Sequence, residues 1–238
     1  MSLSLQISLA IALNVYALVM IYARSWIYRV PVYRPMVKNF FLSIAPLVLL
    51  VVAVATAVVV SGLLAPVAGV VVGVVGFVVW LLALPNSGYL ITELNLNHRR
   101  ENESVPLWYD IIAVLTFALS GVVNTVLGVF AAQIVFVLAV YGDDNAAVEA
   151  LPVRLAAVAV IVLVSVGIYL GRYLRLNSWD VRSPARMAAK FREHFDSRTQ
   201  LGNFALFCLT HSVFLLLIYG LVAGPVLEEL VGTTTNGT

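Results

Sequence analysis

Two arginines three residues apart, Arg172 and Arg175, close an apolar run and lead directly into Asn177, Ser178, Trp179 and Asp180. A guanidinium presents a planar fork of N–H donors that suits phosphate and carboxylate groups. Acids that could oppose these cations sit in two other short clusters. Glu93 ends the run Pro85-Asn-Ser-Gly-Tyr-Leu-Ile-Thr-Glu93, which also offers Asn86 and Tyr89. Asp110 follows Trp108 and Tyr109 at the head of another apolar run. Two chemistries are open to this set. Arg172 and Arg175 could hold an anion that Asn86, Tyr89 and Asn177 orient. Alternatively, Glu93 or Asp110 could act as general base on a lipid-linked substrate while the arginines stabilise its phosphate. Each residue also has a purely structural use. Arginines just past an apolar span snorkel to the interface, and Trp108, Tyr109, Tyr173 and Trp179 suit an interfacial aromatic belt. Asp110 complements a helix dipole, and Asn86 and Asn177 are natural helix terminators.

The elements that must position these groups follow from composition. Of 238 residues, 62% are hydrophobic and 11% charged, against about a quarter charged in soluble domains. The balance of 14 basic and 12 acidic residues gives no reason to expect nucleic acid. The single cysteine, Cys208, lies in an apolar run, so no internal disulfide can form. No metal-ligand spacing and no cofactor motif is present.

Residues 3 to 22 form a first span; the basic residues follow it rather than precede it, which argues for a retained helix and not a cleaved signal. Asn14 within it suggests a helix–helix hydrogen bond. The uncharged run Phe40 to Leu84 would be about 68 Å long as one helix. The hydrocarbon layer is roughly 30 Å thick, so the run crosses twice, turning at Ser61-Gly62 and Pro66. The expected spans are 40–61 and 63–84, the second ending at the stop signal Leu84-Pro-Asn-Ser-Gly88. Gly69, Gly73 and Gly76 supply a small-residue packing stripe. Residues 111 to 142 would measure about 48 Å, which suits one long or tilted helix, 107–136. Spans 152–176 and 201–223 complete the set. Between them, Ser183-Pro184 resembles an N-cap and first turn. Met187, Phe191 and Phe195 recur every fourth residue among arginines and Lys190, as in an amphipathic helix lying on a membrane surface.

Thirteen of the fourteen basic residues fall on three alternate connections, Arg154 being the remainder. The positive-inside rule then places both termini outside and the three polar clusters on the cytoplasmic face of a plasma-membrane protein. The expectation is an all-α polytopic membrane helix bundle: six transmembrane helices, both termini outside, and a short amphipathic helix in the last cytoplasmic loop. In span four, Asp110, Phe117, Gly121, Asn124 and Gly128 share one helical face, which should point into the bundle. In span five, Ser165, Arg172, Arg175 and Trp179 share a face beside the GxxxG pair Gly167 and Gly171. The resulting picture is a cytoplasmic cleft where Glu93 and Asp110 oppose Arg172 and Arg175, lined by Asn86, Tyr89, Asn124 and Asn177, with Trp108, Trp179 and Asp180 nearby. His211, mid-span beside Thr210 and Ser212, reads as a neutral, hydrogen-bonded packing residue; His98 and His194 lie in charged loops. Asn236-Gly-Thr238 matches a glycosylation sequon.

The segments Asn39-Phe-Phe-Leu-Ser-Ile-Ala-Pro46, Leu84 to Glu93, Pro106-Leu-Trp-Tyr-Asp110 and Gly167 to Asp180 resemble an uncharacterised family of small prokaryotic multi-pass membrane proteins, a family of unknown function. The resemblance covers about residues 39 to 222 in order. It departs at Gly88, where the family often has proline, and at Glu93, where it often has aspartate. It implies membrane location and a shared polar motif set, and carries no activity. The residues therefore favour an integral membrane protein that binds or transports a small anion or a lipid headgroup. The expected partners are the bilayer and that anion, with an intramembrane enzyme as the alternative.

Overall fold

The computed structural model describes residues 3–95, 104–142, 144–174 and 184–235, and every regular element in them is helical. The order is α1 (Leu3–Tyr28), α2 (Arg34–Leu63), α3 (Pro66–Ala83), a short α4 (Pro85–Gly88) running into a 3₁₀ segment (Tyr89–Asn95), α5 (Leu107–Tyr141), α6 (Leu151–Tyr169), α7 (Pro184–His194) and α8 (Arg198–Thr235). Six helices are long and apolar enough to cross a membrane, α3, α4 and part of the 3₁₀ segment counting as one. The amphipathic α7 lies between the last two.

The long helix α5 is the post of the bundle. It packs against α1, α2, α4, α6 and α8. The face anticipated for it, Asp110, Phe117, Gly121, Asn124 and Gly128, is buried throughout. The α2–α3 hairpin packs as closely as its small residues allow: a Cβ at Gly69 would meet Ser61, and one at Gly76 would meet Ala53. Its outer face is a sheet of valines, including Val51, Val58, Val67 and Val74, all more than half exposed. In water so continuous an apolar face would drive aggregation, whereas lipid is its natural solvent.

The helical path does not stop at Pro85. Leu84 keeps right-handed helical angles and Pro85 opens the next turn, where its missing N–H costs little. Packing explains the continuation. Ser87 and Leu90 are fully buried, and the segment is clasped between two glycines, Gly121 on α5 and Gly167 on α6, where added methyl groups would land on Ser87 and Pro85 respectively.

Candidate functional site

The connections place the C-terminal ends of α1, the 3₁₀ segment and α6 beside the N-terminal ends of α2, α5 and α8. This is the basic end of the bundle. Among the described residues, the buried ion pair at this end involves Arg24, a residue in the last turns of α1. Arg24 Nε donates to Asp110 Oδ1 at 2.7 Å and Nη2 donates to Oδ2 at 3.4 Å. Both side chains are buried, the carboxylate completely. Nearby, the Tyr109 hydroxyl donates to the carbonyl of Met20 at 3.0 Å, and the Tyr28 and Tyr109 rings meet edge to face.

Deeper in the bundle, Asn14 and Asn124 exchange amide hydrogen bonds at 2.9 and 3.0 Å. Each also spends its second N–H: Asn14 on the carbonyl of Ala10, Asn124 on Ser43 Oγ. Ser87 Oγ donates to the Ser43 carbonyl at 2.6 Å. Four elements, α1, α2, α4 and α5, are tied by these few groups. The tie should be measurable. Replacing Asn124 by Leu strands Asn14 and Ser43 and should cost about 0.6–2 kcal/mol, the span observed for hydrogen bonds between membrane helices. Asn14→Leu combined with Asn124→Leu should cost less than the two single changes added together, which a double-mutant cycle on thermal stability in micelles would read.

The remaining polar residues are also engaged. Asn39 Nδ2 donates to Glu93 Oε1 at 2.9 Å. Arg172 Nη1 donates to the Thr92 carbonyl at 3.2 Å, and the Thr92 hydroxyl donates to the carbonyl of Tyr89. Arg172 sits in a π-helical turn, Leu170–Leu174, at the end of α6. Such wide turns recur at functional sites. The Tyr89 ring lies over Gly171, so the GxxxG pair packs the 3₁₀ segment on one side and Pro85 on the other.

These partners revise the expected cleft. Asp110 is committed to Arg24 and Glu93 to Asn39, so neither acid is given Arg172 as its partner. Asn124 belongs to the deeper tie. Asn86 and Trp108 are exposed and line no interior surface. The physical reason is which donors lie in reach: Arg24 of α1 reaches Asp110 and Asn39 of α2 reaches Glu93, while Arg172 gives a bond to the neighbouring Thr92 carbonyl. Arg175, Asn177, Trp179 and Asp180 lie outside the described residues, as do His98, Ser183 and Asn236.

In the chain Arg24 reads only as one of the basic residues that follow the first span. A signal was available. Gln6, Ala10, Ala17, Met20 and Arg24 form the buried stripe of α1, and Asn14 bonds to Asn124 across the same α1–α5 contact. Arg24 follows Asn14 by ten residues, and Asp110 precedes Asn124 by fourteen. In antiparallel helices these spacings are about 15 and 21 Å, a difference that the long arginine stem can bridge.

The charged loop expected around His194 does not leave it idle: its Nε2 pairs with the Tyr169 hydroxyl at 2.9 Å. Phe195 and Phe204 pack on the same tyrosine. The apolar side of α7 and the turn after it are therefore occupied at least in part by the bundle's own aromatics. His211 Nδ1 lies 3.0 Å from the carbonyl of Phe207, whose ring it stacks on, a packing role.

Two concavities among the described residues bear on function. At the basic end, Tyr22, Val32, Arg34, Val37, Lys38 and Phe41 line an open groove of ≈ 520 Å³ along α1 and α2. At the far end, a cavity of ≈ 270 Å³ lies among α5, α6 and α8. Among the described residues no three His, Cys, Asp or Glu side chains gather to hold a metal ion.

Six apolar helices, held by buried polar ties and facing outward with valine and leucine, define a multi-pass integral membrane protein. The chain belongs to the family described as protein of unknown function DUF1361, whose model matches residues 38–223. That match begins at Lys38, within the first turns of α2, runs through most of α8 and leaves α1 and Arg34 outside. No curated protein and no solved structure matches the chain.

Proposed function

We propose that this protein binds an anionic phosphate group at its basic end, which positive-inside reasoning puts on the cytoplasmic side of the plasma membrane. The observation that carries the reading is the groove of Tyr22, Arg34, Lys38 and Phe41. Arg34 and Lys38 stand four residues apart on α2, so both cations rise from one face of the helix. Arg34 opens α2, where the helix dipole also favours an anion. Among the described residues no carboxylate pairs with either cation, in contrast to Arg24. Val32, Val37 and Phe41 form apolar walls beneath them. A lipid headgroup with its first acyl carbons, or a free phosphate, shares the chemistry this groove offers, and the walls favour the lipid.

The commitment of Asp110 and Glu93 to protein donors supports binding over general-base chemistry. Arg172, near the same end, keeps guanidinium N–H groups beyond the one given to Thr92, and would add to the positive field that draws anions in.

The test is retention of phosphatidylglycerol by the purified protein in native mass spectrometry. Arg34→Ala with Lys38→Ala should lower that retention about tenfold, the effect of losing roughly 1.4 kcal/mol of charge-assisted contact. Competition by millimolar inorganic phosphate would identify a small-anion site; indifference to it would identify the lipid. Equal retention by wild type and double variant would end this reading.

A further inference from the structure

The cavity at the end away from the arginines has a different character. Its floor is closed by Gln133 of α5 and Tyr219 of α8. The Tyr219 hydroxyl donates to Gln133 Oε1, and Gln133 Nε2 donates to the carbonyl of Val148 at 3.2 Å. The deep polar atoms are thus mutually satisfied and brace α5, α8 and the α5–α6 connection around the space. Above them the walls are apolar, with Ile161 and Leu216 facing one another's helices across it.

Charge is confined to the mouth. Arg154 and Glu149 form an ion pair at 3.2 Å, each side chain at least half exposed. Exposed pairs of this kind are weak and exchange partners readily. Glu228, on the opposite wall of α8, is exposed and has no partner among the described residues. Among the described residues, Arg154 is the one basic residue found away from the basic end.

We propose that this cavity holds the headgroup of a zwitterionic aminophospholipid, its primary ammonium against Glu228 and its phosphate against Arg154. One cation and two carboxylates at the mouth disfavour a purely anionic guest. A guest carrying both charges complements the two walls, and its glycerol and first acyl carbons suit the apolar interior. A volume of ≈ 270 Å³ admits a headgroup and not a whole lipid, drug-sized pockets starting near 300 Å³. A quaternary ammonium would call for an aromatic cage, and among the described residues Tyr219 is the sole aromatic lining the space. A primary ammonium instead donates hydrogen bonds to the carboxylates.

The experiment incubates the full chain in micelles with equimolar phosphatidylethanolamine, phosphatidylcholine and phosphatidylglycerol of identical acyl chains, and reads adducts by native mass spectrometry. Phosphatidylethanolamine should exceed phosphatidylcholine severalfold. Glu228→Gln should lower phosphatidylethanolamine retention about tenfold while leaving phosphatidylglycerol unchanged. Ala157→Leu, which fills the cavity from α6, should remove the preference as well. Because Glu228 is exposed, its variant should fold, and the phosphatidylglycerol adduct reports separately on the basic groove. Equal retention of the two zwitterionic lipids, or a preference untouched by Glu228→Gln, would overturn the proposal.

Discussion

Asp110→Ala should destabilise the folded bundle by about 3–5 kcal/mol, the usual consequence of removing one partner of a buried ion pair. The Asp110 carboxylate has no exposed surface, and Arg24 is almost as deeply enclosed. Removing the acid leaves a guanidinium that cannot lose its proton and that water reaches poorly. The change should lower the melting temperature in micelles by on the order of 10 °C, taking roughly 2–4 °C per kcal/mol for a chain of this size. Removing both charges should behave differently. Arg24→Met with Asp110→Leu replaces the pair by apolar groups of similar bulk, and such replacements are often neutral or stabilising. A melting temperature near wild type in the double variant, with a large loss in the single one, identifies a structural clamp between α1 and α5. An unchanged single variant would mean that the pair is wet.

Gly121→Val should displace the Pro85–Asn95 segment and cost about 1–3 kcal/mol or more, as overpacking does. A Cβ at Gly121 would stand 2.5 Å from the Ser87 carbonyl oxygen and 2.6 Å from Leu90 Cβ. Backbone cannot yield there without breaking the Ser87–Ser43 hydrogen bond. The gentler Gly121→Ala gives a sharper test because its sign is at stake. In an open helix interior, Gly to Ala stabilises by about 0.5–1 kcal/mol. At Gly121 it should destabilise. Gly220, on α8, has nothing within 4 Å of its would-be Cβ, and Gly220→Ala should therefore stabilise. Melting temperatures of the three variants, measured together, decide whether this close approach holds the segment in place. The segment matters to the site, since Asn39 and Arg172 both reach it.

The two ends of the molecule differ in how they handle charge. At the basic end Arg24 and Asp110 neutralise one another inside, and the groove cations, Arg34 and Lys38, which pair with no carboxylate among the described residues, are exposed. At the opposite end both signs remain at a cavity mouth.

Much of this was legible in the chain. An uncharged stretch of about 45 residues cannot cross a 30 Å layer once, and glycine, asparagine and aspartate at seven-residue offsets must share a helical face. Both statements depend only on helical geometry and on the cost of exposing polar groups to hydrocarbon. The pairing of groups was not legible in the same way. Asp110 and Glu93 were matched to Arg172 and Arg175 by charge and by side of the membrane, which leaves the neighbour undecided. Pro85-Asn-Ser-Gly88 looked like a terminator because turn signals are local, whereas Gly121 and Gly167 hold the segment helical from across the bundle.

The sequence by itself determined six membrane-crossing helices, the inward face of α5 and the amphipathic α7, because each follows from composition and period along one segment. Only the tertiary structure decided that Arg24 holds Asp110, that Asn39 holds Glu93 and that Asn14 locks to Asn124. Those choices depend on which helices are neighbours and at what register, and a carboxylate takes the nearest donor that packing supplies.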